Sequence, residues 1–195
     1  MTTGFGVPQF SAILECAEVA RRLQVPLIAD GGINYQRDVV LALAAGANTV
    51  MMGGIFAKSY QSNATKVLMA EGTELGAWPH SNQHLADAIA SGTLQTMDDG
   101  RWEGADQVTA RYRGQASADF QTSFYGGLKR GTVPEGVAFQ VEVPHASEYV
   151  YELYEGALRS GLTYGGARSI KELQRKAEFV ETTPNFMAES GARPG

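Results

Sequence analysis

The sequence predicts an α/β fold in which parallel strands alternate with helices, either a barrel or a doubly wound sheet. Two short apolar runs, VPLIAD and NTVMMGG, have the profile of strands that are buried on both faces of a parallel sheet. The residues between them have helical periodicity. Strand, helix and strand therefore follow one another within about 30 residues, which is the pattern of a βαβ unit.

Each element of this series has its own signal, beginning with an amphipathic helix over residues 11–23. Ile13 and Ala17 share one stripe of that helix, and charged side chains occupy the other side. VPLIAD is too short for a helix and forms the first strand. Residues 37–45 are again helical and stop at Gly46, a residue suited to the left-handed position after a helix. NTVMMGG is the second strand.

Further helices are predicted nearer the C-terminus, over residues 148–158 and 169–179. The second of these begins with SIKE, in which glutamate follows serine by three positions, as in a capping box. A short helix is also predicted over residues 84–90, inside a stretch that otherwise has no sustained period.

We expect residues 1–195 to form one domain, because a single core is efficient up to roughly 250 residues. Its expected segments are a helix with the βαβ unit (1–62), a long insertion (63–110), a flap (111–147), C-terminal helices (148–181) and a tail (182–195). The flap contains the glycine-rich residues 112–136, and a long segment of this composition is typically mobile and functional.

Composition and charge exclude several function classes. The chain has 195 residues and a formal net charge of −5, and its Lys/Arg clusters are no longer than the pair Arg21-Arg22, so no nucleic-acid partner is expected. No window reaches the roughly 18 apolar residues of a membrane helix, and the N-terminus is no signal peptide, so we expect a cytoplasmic protein without a membrane partner. The single cysteine, Cys16, excludes an internal disulfide and a cysteine-cluster metal site.

A glycine pair follows each predicted strand: Gly31-Gly32 after Asp30, and Gly53-Gly54. The carboxyl ends of parallel strands lie at one edge of a sheet, so we expect the pairs side by side. Glycine lets a phosphate approach backbone N–H groups that a Cβ would screen, and Asp30 can accept hydrogen bonds from two sugar hydroxyls. The pattern predicts a site for a nucleoside monophosphate; the alternative is that the glycines only make tight turns.

Several motifs in fixed order resemble the C-terminal part of the IMP dehydrogenase and GMP reductase family. They are TGFGVPQFSAILECAEVA, PLIADGGI, ALAAGANTVMMGG, RYRG, PEG and GALRSGLTYGGARSIKEL, and the likeness covers residues 3–60 and 111–191. The resemblance implies the C-terminal portion of a TIM (β/α)8 barrel, here with a long insertion and a flap. It also implies an oxidoreductase, usually a homotetramer, that acts on GMP or IMP with NADP(H) or NAD(H).

The resemblance assigns roles to individual residues. Asp30 is implied to hold the ribose hydroxyls. The 5′-phosphate is implied to lie on Gly32, Gly53, Gly54 and Tyr112 of the YRG motif, and Gly31 and Gly114 are expected among the substrate-binding residues. Glu135 of PEG is implied to face the purine ring and to help move protons. Residues 189–191, Glu189, Ser190 and Gly191, resemble an element that binds a monovalent cation such as K⁺, although a polar tail is the ordinary interpretation.

The choice between the two activities depends on the flap. The region ASADFQTSFYGGLKRG lacks the Arg-Tyr pair that family dehydrogenases usually carry, and Gly53-Gly54 stands where they tend to have Gly-Ser. These features favour GMP reductase, which converts GMP to IMP and ammonia with NADPH. VPEGV and IADGGI favour the alternative, the NAD-dependent IMP dehydrogenase that forms XMP.

The family's chemistry needs a nucleophilic cysteine, which forms a thioimidate with the purine, on a loop before TGFGVPQ. That cysteine is absent from this chain, so we expect it, and the upstream βα units of a barrel, from a preceding or complementing segment. The chain alone is expected to show no turnover. A second alternative is therefore a non-catalytic nucleotide-binding fragment or assembly module.

For three other sets of residues, the ordinary structural interpretation is stronger than the functional one or equal to it. Cys16 lies mid-helix beside a glutamate and is interpreted as a structural, packed residue rather than a substitute nucleophile. His80 and His84 have helical metal-ligand spacing, but surface histidines are favoured. The aromatic flap residues Phe120, Phe124 and Tyr125 can stack on a nicotinamide or adenine ring, or simply pack the flap.

Overall fold

The computed structural model describes residues 4–70, 73–78, 90–92, 95–97, 102–104, 107–143 and 146–183. It confirms the α/β class and the βαβ unit. The unit and the helix before it comprise α1 (Gln9–Leu23), β1 (Ile28–Asp30), α2 (Gln36–Ala44) and β2 (Thr49–Met51). β1 and β2 pair in parallel, with Ala29 opposite Val50 and Asp30 opposite Met51. None of the described helices is long and apolar enough to cross a bilayer.

The turn after α2 needs glycine for two reasons. Gly46 has a φ of 118°, a conformation that L side chains rarely adopt. A Cβ at this position would also lie 2.5 Å from the Cβ of Ala17, which is closer than two carbons can approach. α1 and α2 therefore come together where this glycine ends the turn, and their contact covers β1 with small residues. The core there consists of Ile13, Ala29, Ala42, Ala45 and Ala47.

The expectation that both strands are buried on both faces is wrong for this chain. Ala29 is buried beneath α1 and α2, but Ile28 and Met51 on the other face are 54% and 49% exposed. Successive side chains of a strand point to opposite faces, and the described elements cover only one of them. Ile28 and Met51 are therefore exposed because the described helices cover only the other face of the sheet.

The second predicted strand is also shorter than expected. β2 ends at Met51, and a short helix, α3 (Gly53–Ala57), begins where NTVMMGG was predicted to continue as a strand. The glycine pair therefore lies in the first turn of a helix instead of at a strand end. The first N–H groups of any α-helix lack intrahelical partners, so this arrangement leaves the amides of the pair available.

A second sheet, which the sequence pattern did not predict, is formed within the expected insertion and flap. Its antiparallel strands are β3 (Lys66–Ala70), β4 (Thr73–Trp78), β7 (Gln107–Arg113) and β8 (Ala138–Glu142), in the order β4-β3-β7-β8. A small hairpin, β5 (Gln95–Thr96) and β6 (Trp102–Glu103), lies between them in the sequence. The core of the sheet consists of Ala57, Leu68, Val108, Ala110, Val141 and Val143. Ala57 belongs to α3, which therefore packs against this sheet.

Three more helices complete the described structure: α4 (Ala118–Tyr125), α5 (Ser147–Tyr164) and α6 (Ile170–Lys176). α5 packs Val150 and Tyr154 against Val39 and Leu43 of α2. α5 and α6 match the two helices predicted near the C-terminus. Except for Ala90, the helix predicted over 84–90 lies outside the described residues.

The predicted capping box of α6 is half confirmed. The Ser169 hydroxyl accepts a hydrogen bond from the Glu172 N–H at 3.2 Å, as expected. The Glu172 carboxylate accepts from the backbone N–H of Arg168 at 2.9 Å, one residue before the expected donor. Glu172 also pairs with Lys176 at 2.8 Å, and these donors hold the pKa of its carboxyl below the ordinary value, the side-chain bond from Lys176 being the larger cause.

Candidate functional site

The two glycine pairs leave the parallel sheet at the same edge. Asp30, the last residue of β1, is directly opposite Met51, the last residue of β2. Because the strands run in the same direction, Gly31-Gly32 and Gly53-Gly54 both follow that edge. The structure therefore brings the glycine pairs and Asp30 to one end of the sheet.

Two of these glycines border open space. A Cβ built on Gly31 or on Gly54 would have no heavy atom of the other described residues within 4 Å, apart from the local backbone. Gly31 and Gly32 also have φ values of 90° and 74°, which turn the chain sharply after Asp30. A ligand atom can therefore approach the backbone at Gly31 and Gly54 without displacing protein atoms.

Tyr112 reaches the second glycine pair from the antiparallel sheet. A Cβ on Gly53 would lie 3.1 Å from the Tyr112 hydroxyl oxygen, so the hydroxyl is next to the backbone of this glycine. The Tyr112 ring contacts the ring of Phe139 on β8, with centroids 5.1 Å apart. β7 and β8 thus hold a phenol donor at the start of α3.

Gln9 supports the first glycine pair and was missed by the sequence reasoning. Its Nε2 donates a hydrogen bond to the Asp30 carbonyl at 3.1 Å, and a Cβ on Gly32 would lie 3.1 Å from the Gln9 Cγ. The available signal was its position at the very start of α1. The exposed Asp30 carboxylate itself has no hydrogen bond or ion pair within the described part of the chain.

The chain around the YRG motif contacts the chain around the PEG motif. The Gly114 N–H donates to the Val137 carbonyl at 3.0 Å, and a Cβ on Gly136 would lie 2.6 Å from the Ser117 nitrogen. Glu135 is therefore held beside the turn that follows β7, where it is exposed and lines a cavity of about 280 Å³. β7 links the two groups of site residues, since Tyr112 contacts Gly53 and Gly114 follows two residues later.

Comparison with known proteins decides the family. The model of the IMP dehydrogenase / GMP reductase domain matches residues 1–193, which is almost the whole chain. The chain belongs to the IMP dehydrogenase and GMP reductase family. The chain that carries these motifs and brings the two glycine pairs to one edge is thus a family member.

Curated relatives in the family include IMP dehydrogenases from several prokaryotes. The protein from Methanocaldococcus jannaschii is 36% identical over 194 residues, a region that covers 97% of this chain and 34% of the relative. The protein from Chlorobaculum tepidum is 37% identical over 191 residues and is covered to 33%. This chain therefore spans about a third of the length of the curated relatives it matches.

A solved structure is similar over nearly the whole chain. It is a GMP reductase from Trypanosoma brucei in complex with guanosine 5′-monophosphate, with 32% identity and a TM-score of 0.71. The match covers 98% of this chain and 33% of that chain. The family relationship and the α/β fold with parallel strands and helices are consistent with one another.

The flap aromatics lie on α4, which an ion pair attaches to β7. Arg111 Nε lies 2.7 Å from Asp119 Oδ2, and the hydrogen bond from this guanidinium lowers the pKa of the Asp119 carboxyl. Phe120 stacks on Phe124 at 4.5 Å, but Phe124 and Tyr125 are 66% and 70% exposed. These two rings therefore do not pack fully within the chain, and a face of each is accessible.

The structural interpretation of Cys16 needs correction, because its side chain is exposed on α1 instead of packed in the core. The reason is the helical stripe: Ile13 and Ala17 face β1, and Cys16 points away from that stripe. His80 and His84 lie outside the described residues, and so do the three residues of the predicted cation site, Glu189, Ser190 and Gly191. Within the described residues, no group of three or more His, Cys, Asp or Glu side chains could hold a metal.

Proposed function

We propose that this chain forms the purine-nucleotide-binding part of an oxidoreductase of its family. The observation that carries the proposal is the meeting of both glycine pairs at one edge of the sheet, with Tyr112 beside Gly53 and Asp30 at the same edge. The 5′-phosphate would lie on the amides of the two pairs and the Tyr112 hydroxyl. Asp30 would accept hydrogen bonds from both ribose hydroxyls.

The chemistry of these groups suits a phosphate monoester. Backbone N–H groups and a phenol hydroxyl are donors, and hydrogen bonds to a charged acceptor contribute roughly twice as much as those between neutral groups. Gly31 and Gly54 border open space, so the phosphate oxygens can reach the backbone. The Asp30 carboxylate, which has no partner among the described residues, adds two acceptors that match two adjacent hydroxyls.

The reaction that we propose first is that of GMP reductase, as the flap favours. GMP, NADPH and two protons give IMP, ammonium ion and NADP⁺, with the nicotinamide supplying a hydride to purine C2. The nucleophilic cysteine would come from a preceding or complementing segment. Glu135 would face the purine and hold or move a proton at its ring edge while the phosphate and ribose contacts orient the base.

We propose that the nicotinamide cofactor binds beside α4. Exposed aromatic faces can stack on a planar ring, and Phe124 and Tyr125 present such faces. Tyr125 and Lys129 also line a cavity of about 550 Å³. An ammonium group there would complement cofactor phosphates. These residues fit a nicotinamide dinucleotide.

IMP dehydrogenase is the second candidate, because the two curated relatives described above carry that name. In that reaction IMP, water and NAD⁺ give XMP, NADH and a proton. A non-catalytic nucleotide-binding module is the third candidate, and it requires the same phosphate and ribose contacts without turnover. The three candidates therefore share one binding site and differ in chemistry.

Two measurements test the proposal. Calorimetric titration of the chain with GMP, IMP and guanosine is expected to give binding of both monophosphates and at least a tenfold loss for guanosine, because charge-assisted phosphate contacts of roughly 1.5–3 kcal/mol are missing. Equal affinity for GMP and guanosine would contradict the phosphate site. Nicotinamide absorbance would then be followed for the chain mixed with a family segment that carries the nucleophilic cysteine loop. Consumption of NADPH with GMP supports the reductase, and formation of NADH with IMP supports the dehydrogenase.

A further inference from the structure

A cleft of about 760 Å³ lies at the opposite edge of the parallel sheet from the glycine pairs. Its walls include Val25 and Pro26, which precede β1, and Gly46 and Asn48, which precede β2. Each strand has three residues and rises roughly 3.3 Å per residue, so about 10 Å of sheet separates the two edges. The cleft is therefore distinct from the proposed nucleotide site.

Three cationic side chains line this cleft. Arg21 comes from α1, and Lys171 and Arg175 lie four residues apart on α6, so both project from the same face of that helix. All three are exposed, and none has an ion pair in the described part of the chain. Among the described residues, the lining includes no carboxylate. The nearby Glu172 is already paired with Lys176.

Hydrogen bonds hold the floor of the cleft, which offers a further donor. Asn48 Oδ1 accepts a hydrogen bond from the Leu27 N–H at 2.7 Å, which leaves the Asn48 Nδ2 as a donor. Gln174 Nε2 donates to the carbonyls of Leu43 and Ala47, both at 3.0 Å, and so fixes α6 against the end of α2. The positions of Lys171 and Arg175 relative to Arg21 are thereby set by the fold.

We infer that this cleft binds an anion that carries two or more phosphate groups. Three cations on two separate helices suit a ligand whose negative charge is spread over several ångströms. They suit it better than they would suit the compact charge of a single phosphate. In a chain with a net charge of −5, a cleft whose described lining has three cations and no carboxylate is also a local exception. Free pyrophosphate and the diphosphate group of a nucleotide share this chemistry. The exposed apolar wall of Val25 and Pro26 can accommodate a nucleoside in the second case.

The test is calorimetric titration of the chain with inorganic pyrophosphate, orthophosphate and GDP, in the presence of saturating GMP. The GMP keeps the proposed nucleotide site filled, so that any pyrophosphate binding that is measured comes from a different site. The inference about the cleft and the proposed function can therefore fail independently. Pyrophosphate is expected to bind more tightly than orthophosphate. Tighter binding of GDP than of pyrophosphate assigns the cleft to a nucleotide, and equal binding assigns it to pyrophosphate. Absence of pyrophosphate binding at millimolar concentration, or its displacement by GMP, overturns the inference.

Charge-removing variants locate the binding. Arg21→Gln and Arg175→Gln are each expected to weaken pyrophosphate binding by about fivefold. Arg22→Gln is the matched control, because it removes the same charge from the adjacent residue, which does not line the cleft. Arg21→Lys keeps the charge and should remain close to wild type. An equal loss for Arg22→Gln and Arg21→Gln would mean that only diffuse charge attracts the anion, and the inference would be wrong.

Discussion

Replacement of Gly54 by alanine is expected to separate folding from nucleotide binding. Gly54 lies in the first turn of α3, and its Cβ would project into open space. Alanine is favoured over glycine in helices by up to about 1 kcal/mol, so the free energy of unfolding should be unchanged or slightly higher. The new methyl group, however, would occupy the space through which a phosphate reaches the backbone.

The loss of binding can be worked out from the contacts that the methyl group blocks. If one charge-assisted hydrogen bond to the phosphate is lost, the cost is roughly 1.5–3 kcal/mol, which corresponds to about 10- to 150-fold in the dissociation constant of GMP. The assay is calorimetric titration with GMP, together with thermal unfolding of the same sample. The expected variant is at least as stable as the wild type and binds GMP much more weakly.

Gly156→Ala is the matched control for this experiment. Gly156 lies within α5, and its Cβ would likewise meet no heavy atom of the other described residues within 4 Å, apart from the local backbone. The same substitution should therefore have the same favourable effect on helix stability but leave GMP affinity unchanged. Wild-type affinity of Gly54→Ala, or an equal loss in both variants, would refute the assignment of the phosphate to this glycine pair.

Three further predictions concern the ribose, the phosphate and the C-terminal helix. Tyr112→Phe should weaken GMP binding by roughly tenfold without a change in the unfolding midpoint, because only the hydroxyl beside Gly53 is removed; calorimetry and thermal unfolding check this. Asp30→Asn should weaken GMP binding but have little effect on 2′-deoxy-GMP, and an equal loss for both ligands in titrations would contradict a ribose contact. The pKa of the Glu172 carboxyl is lower in the folded chain than its ordinary value of 4.5, so the charged carboxylate stabilises the fold at pH values above 4.5. This stability is lost as the pH falls through the lowered pKa of the folded state. Between about pH 6 and pH 3 the wild-type unfolding midpoint should therefore fall more steeply than that of Glu172→Gln, and parallel curves would refute this.

The elements that could be predicted from the sequence are those with a local signal. α1 and α2 have a 3.6-residue apolar period, and Gly46 marks the end of the second helix, so their order and approximate bounds followed from the pattern. α3 was not predicted, because TVMMGG reads as one apolar run and nothing local shows that the helix begins at Gly53. Boundaries of this kind depend on the packing of Ala57 against another sheet.

The antiparallel sheet could not be predicted because its pairing is non-local. β3 pairs with β7, which puts Leu68 opposite Val108 across about 40 residues of sequence that have no sustained period. The candidate site shows the same division. The placement of Gly31-Gly32 and Gly53-Gly54 at the same edge of the sheet followed from the βαβ pattern alone. The approach of Tyr112 to Gly53 depends on β7, and only the family resemblance indicated it.

The most direct test of the central claim is an NMR titration of glycine-¹⁵N-labelled chain with GMP. The claim is that both glycine pairs contact one phosphate, so the amide resonances of Gly31, Gly32, Gly53 and Gly54 should all shift and saturate with a single dissociation constant. Guanosine should not produce these shifts at the same concentration. A response confined to one pair, or two different saturation curves for the two pairs, would contradict the account.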